Sequence, residues 1–122
     1  MSQFGSPVVS NVARRNDQVV RFTGGTAAVT KDEGVGVAVT YVSTGLVDLT
    51  WNENPGHYIG IIGRGFDATT ASELKGYSVV AGDFNTSTLT LRISITNAAD
   101  SLADLTATQH LSLNVGFKRL NV

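Results

Sequence analysis

The stretch Leu89-Thr90-Leu91-Arg92-Ile93-Ser94-Ile95 alternates apolar and polar side chains without interruption. A period of two is the pattern of a β-strand with one buried and one wet face, since successive side chains leave opposite sides of the pleat. Near the C-terminus Leu111, Leu113, Val115 and Phe117 alternate in the same way with Ser112, Asn114, Gly116 and Lys118. These two segments decide the fold class, because they predict sheets that bury one face each.

Working outward, Val35, Val37, Val39 and Tyr41 make a third such face, opposed by Gly34, Gly36, Ala38 and Thr40. Ser43-Thr44-Gly45 then reads as a hairpin loop into a strand over Leu46 to Trp51. Asn52-Glu53-Asn54-Pro55-Gly56 is a cluster of turn residues, after which His57 to Ile62 resumes an apolar, β-branched run. Tyr77 to Ala81 predicts another short strand, and Gly82 to Ser87 a turn into the Leu89 strand. Gln18 to Thr23 is a first strand closed by Gly24-Gly25, with Ala27 to Lys31 a weaker second. Helix is nearly absent: Ala71 to Gly76 and Ala98 to Leu105, the latter capped by Asp100, offer at most one turn each. Seven to eight short antiparallel strands with turn signals between them predict an all-β chain, a β-sandwich or jelly roll. Residues 1–16 lack alternation and contain Pro7, which predicts an extended N-terminal arm ahead of a single domain over 17–122.

Composition narrows the function. The chain has 122 residues and no cysteine, which removes disulfides, thiolate zinc sites and thiol nucleophiles together. Nine Lys and Arg against ten Asp and Glu give a formal net charge of −1 and no overall basic footprint for nucleic acid. No apolar run approaches the roughly 20 residues of a membrane-spanning helix. Met1 to Ser10 lacks the charged start and apolar stretch of a signal peptide, so a soluble, cytoplasmically made chain is expected. Only 16% of residues are charged, below the roughly 25% usual in soluble domains, so weakly polar surface is expected to face another protein.

Catalytic patterns are sparse. His57 and His110 stand alone at strand ends, with no spacing that brings three metal ligands together. Asp48, Glu53, Asp67, Glu73, Asp83, Asp100 and Asp104 are scattered, mostly in turns where aspartate binds its own backbone. Asp48 is the exception, inside a strand opposite Val47 and Leu49, facing solvent or a neighbouring subunit. Gly60, Gly63 and Gly65 superficially resemble a nucleotide fingerprint but lack the following helix, so bulge or turn geometry is expected. No enzyme, cofactor or metal is therefore expected. Trp51, Tyr58 and Phe66 surround the loop from Asn52 to Asp67, where they either fill the core or present rings to a sugar or a protein. Arg14-Arg15, with Arg21 nearby, is the one local positive concentration.

The stretch Gly34 to Tyr41, then Thr44 to Trp51, then Asn54-Pro55-Gly56, resembles small structural proteins encoded in the head gene clusters of tailed bacteriophages. So do Leu74-Lys75-Gly76-Tyr77, Asp83-Phe84, and Ala103-Asp104-Leu105 with Leu111 to Phe117. The likeness covers most of the chain from Asn11 onward and rests on turn and core residues. The pattern is also similar to jelly-roll domains of the tumour-necrosis-factor and C1q kind, which trimerise. The resemblance implies a virion protein on the capsid surface that decorates or cements the head. Its partners would be the major capsid protein and copies of itself, as trimer or dimer. No catalytic residues come with it. The expected contact residues are Phe4, Arg14 and Arg15 from the arm and its root, and Trp51 and Tyr58 at the loop. The alternative is a receptor- or carbohydrate-binding module of a tail or fibre.

Overall fold

The computed structural model describes residues 15–68, 72–73 and 77–118. They form nine strands: β1 (Arg15–Gly25), β2 (Ala28–Glu33), β3 (Val37–Ser43), β4 (Leu46–Trp51), β5 (His57–Asp67), β6 (Ser72–Glu73), β7 (Ser78–Asn85), β8 (Thr90–Thr96) and β9 (Gln109–Lys118). Eight of them have six or more residues, and no helix occurs among the described residues. A five-stranded sheet in the order β2-β1-β9-β5-β6 packs against a four-stranded sheet in the order β3-β4-β8-β7. Every pairing is antiparallel. The chain is a β-sandwich, as the alternating segments predict.

The topology is a run of hairpins that change sheet in turn. β1-β2 and β5-β6 belong to one sheet, β3-β4 and β7-β8 to the other, and β9 enters last between β1 and β5. That central slot explains why its alternation is so clean: it is paired along most of its length on both sides and buries Leu111, Leu113, Val115 and Phe117. These side chains meet Val47, Leu49 and Trp51 of β4 and Leu91, Ile93 and Ile95 of β8 in one core. Val20 and Phe22 of β1 complete it from the edge side. Burial of such side chains stabilises by roughly 1.5–3 kcal/mol each before chain entropy is set against it.

Several boundaries differ from the sequence expectation. β1 begins at Arg15, so Arg15 and Asn16 belong to the sheet and pair with Lys118 and Phe117 rather than to an arm. β5 and β7 run to Asp67 and Asn85, because bulges at Ile59 and at Gly82-Asp83 let the chain shift phase and keep pairing. Leu89 lies outside β8: it takes a left-handed φ of 54° in the turn that Asn85 organises by accepting the Ser87 and Thr88 N–H groups. Neither helical turn forms where residues are described. Ser72-Glu73 pairs with β5, and Asn97, not Asp100, accepts the N–H groups of Ala99 and Ser101 in a bend. An Asx turn offers those donors a local acceptor that competes with helix.

Glycine is required where β3 turns into β4. Gly45 has φ 70°, and a Cβ there would lie 2.7 Å from the Ile95 carbonyl oxygen. Asp104 fastens the same corner, accepting the Gly45 N–H at 2.8 Å and the Tyr41 hydroxyl at 3.0 Å.

Candidate functional site

Rings near the Asn52–Gly56 loop were expected either to fill the core or to be displayed, and the structure separates them. Trp51 ends β4 at 5% exposure, its ring edge-on to Phe117 at 5.1 Å and to Phe84 at 6.0 Å. Tyr58 is half-buried and also edge-on to Phe117, at 6.0 Å, and burial raises its hydroxyl pKa above the ordinary value. Both rings are core fillers at one end of the sandwich, so a stacking face on Trp51 is not available to a sugar. Its indole Nε1 is buried without a hydrogen-bond partner among the described residues. Phe66 does not join them. It lies on the opposite side of the five-stranded sheet, tilted against His110 at 5.0 Å.

The loop itself is pinned to β1: Gln18 donates to Asn16, and Asn16 to the Pro55 carbonyl at 3.1 Å. A depression of about 380 Å³ opens there, lined by amide side chains of Asn16, Gln18, Asn52 and Asn54 with Glu53 and Val35.

Carboxylates are mostly occupied. Asp48 faces outward from β4, directly opposite Arg92 of β8, and accepts two hydrogen bonds from it at 2.8 and 3.1 Å. Asp83 lines a second depression together with Asp48 and Arg92, where the guanidinium fork already occupies both Asp48 carboxylate oxygens. Among the described residues no three His, Asp or Glu side chains group as a metal site.

The outer side of the five-stranded sheet is different. Since Val20, Phe22, Leu113 and Phe117 point into the core, their strand neighbours point out, and the registers of β1, β9 and β5 align these in rows. The first row is Arg15, Lys118 and His57; the second is Asp17, Gly116 and Gly60. Val19, Asn114 and Ile62 form the third, and Arg21, Ser112 and Arg64 the fourth. Val19 is 55% exposed, Ile62 72%, and Ile59, pushed out by the bulge, 51%.

Arg15 lies here, paired with Asp17 at 3.1 Å, a solvent-exposed contact of small energetic weight. Arg21 donates to His110 Nε2 at 3.0 Å. Phe4 and Arg14 lie outside the described residues, as does the arm before Arg15. The apolar residues of this face were not singled out from sequence. A signal was present: Tyr58-Ile59-Gly60-Ile61-Ile62 is too continuously apolar for one face of a strand, so part of it must point to solvent.

No protein-family model, curated protein or solved structure matches this chain.

Proposed function

We propose that this domain is a virion structural protein of the decoration or cement kind, holding to a capsid shell by protein contacts. One observation carries the reading: Val19, Ile59 and Ile62 stand exposed on a sheet face that no other described residues cover. Singly exposed apolar side chains need no explanation, but several gathered on one sheet face make the kind of surface a partner covers. Such a patch is smaller than the roughly 800 Å² per partner of a stable interface, so each copy contributes modestly and further contacts complete the attachment. The resemblance to head-cluster proteins supplies the partner, the major capsid protein.

Quantitative mass spectrometry of purified virions tests this. A copy number comparable with that of the major capsid protein supports decoration, and absence from virions or a handful of copies sinks it. A handful would favour the tail or fibre reading, in which the amide-lined depression beside Asn52 takes a glycan hydroxyl network without ring stacking.

A further inference from the structure

The two sheets have four edges, and three of them are guarded against a further strand. β2 carries Lys31, Asp32 and Glu33 in a row of exposed positions. β3 faces Lys31, whose ammonium donates to the carbonyls of Gly34 and Val37 at 2.9 Å each. β7 breaks its pairing at the Gly82-Asp83 bulge and sets a charge there. The fourth edge is nominally β6, but its two residues pair only with Phe66 and Asp67. From His57 to Ile62, β5 has β9 on one side and, among the described residues, no strand on the other.

The side chains of this stretch do not discourage an added strand. Tyr58 to Gly63 holds no charged residue, and after the bulge at Ile59 the strand keeps register with β9 from Gly60 to Asp67. Main-chain N–H and C=O groups at such an edge template one kind of protein occupant, another extended backbone. Shape selects which backbone. On the outer side Gly60 and Gly116 are register partners and leave a bare floor under a depression of about 280 Å³ beside Ile59 and Ile62. A Cβ on Gly60 would meet nothing within 4 Å, whereas Ile62, two residues on and on the same side of the sheet, is 72% exposed. Gap and knob thus lie on one strand, spaced so that a two-fold axis at Ile61 fills each gap with the other copy's knob.

We infer that two copies of this chain join β5 to β5, antiparallel, about a two-fold axis at Ile61, with each Ile62 seated beside Gly60 of the other copy. Directly opposed Cα atoms then lie about 4.5–5.5 Å apart, close enough for that contact. A second copy's β5 begins at His57, so it stops short of Phe66, where β6 pairs. The contact is isologous and closes on itself, and the guarded edges end the assembly at a dimer rather than a fibre. Two outer faces come to lie side by side in one continuous sheet. The inference does not rest on the decoration reading, and either can fail alone.

Sedimentation velocity of the full chain over a dilution series reads the dimer directly. The wild type is expected to dimerise. Ile62→Lys, which sets a charge at the seam, and Gly60→Val, which fills the gap, should each weaken the dimer by about tenfold or more. Val80→Lys, exposed on the β7 edge, should leave it unchanged. Because the chain has no cysteine, the register can be read by disulfide trapping. A mixture of Gly60→Cys and Ile62→Cys chains should cross-link under mild oxidant while neither does so alone, since a disulfide needs Cα atoms within about 7 Å. A wild type that stays monomeric at every concentration overturns the inference, as does a dimer that Ile62→Lys or Gly60→Val leaves intact. Cross-linking of either single variant as strong as that of the mixture overturns it too. Virion copy number decides the decoration reading separately: a dimer absent from virions leaves this inference standing, and an abundant virion protein that is monomeric in solution leaves only decoration.

Discussion

The two sheets present opposite solutions on their solvent sides. On the four-stranded sheet the outward positions satisfy one another: Asp48 holds Arg92, and the Thr50 and Thr90 hydroxyls share a hydrogen bond at 3.1 Å. Its main exposed apolar side chain is Val80, on the edge strand β7. On the five-stranded sheet Ile59, Ile62 and Val19 stand exposed between charged side chains of both signs, Arg15 with Asp17 on one side and Arg21 opposite Glu33 on the other. Their inner faces are equivalent, both built of Leu, Ile, Val and Phe in one core. Core formation constrains every second residue and leaves the others free to vary, so the contrast on the outside records a separate demand, which we assign to a partner.

The severest way to break this contrast is to remove what both sheets share. Phe117 touches Trp51, Tyr58 and Phe84, and Phe117→Ala is expected to cost about 3–5 kcal/mol. Both faces should vanish in one urea transition. Amide protection that survives in β4 and β8 after β9 opens would instead make the sheets independent units.

A milder cut is Asp104→Ala, which leaves the Gly45 N–H and the Tyr41 hydroxyl without their acceptor, at about 1–3 kcal/mol. Its effect on attachment to virions through the other face should be nil if the two outsides are separate. Smaller again is the Asp48–Arg92 pair, for which a double-mutant cycle with Asp48→Asn and Arg92→Gln should return less than about 1 kcal/mol, falling with salt. A larger coupling would mean that this face, too, is held for something beyond its own fold.

The least effect is expected from alkali. Partial burial raises the pKa of both Tyr41 and Tyr58, and the hydrogen bond to Asp104 raises Tyr41 further by holding its proton. Unfolded tyrosine ionises near pH 10, so the contribution is complete below about 10 and is lost as pH rises through the folded values. Melting temperature followed between about pH 8 and 11 should fall at the upper end, and less steeply in Tyr41→Phe. A slope that Tyr41→Phe leaves unchanged would remove the tyrosine from the account.

Much of the fold was legible because its signals are local. Leu46 to Trp51 is the observed β4, and the Thr44-Gly45 turn needs the glycine that marks it. Boundaries failed where a bulge or a side-chain acceptor reset the chain, as at Ile59, Gly82-Asp83 and Asn85, since these depend on a neighbouring strand's register. The candidate site was less legible. Trp51 was offered as a contact and is enclosed, while Arg15, Lys118 and Ile62 come from strands far apart in sequence.

Periodicity of two and zero cysteine were enough to specify an all-β chain whose stability rests on packing, because each depends on residue order or content alone. Hydropathy, counted along the chain, hid the gathering of Val19, Ile59 and Ile62 on one face, since a sum carries no positions. That gathering arises when β9 enters between β1 and β5 and aligns outward residues of three distant strands into rows. Pairing of this kind is non-local, fixed by which strands bury their apolar faces together, and so the surface it creates exists only in the folded sandwich.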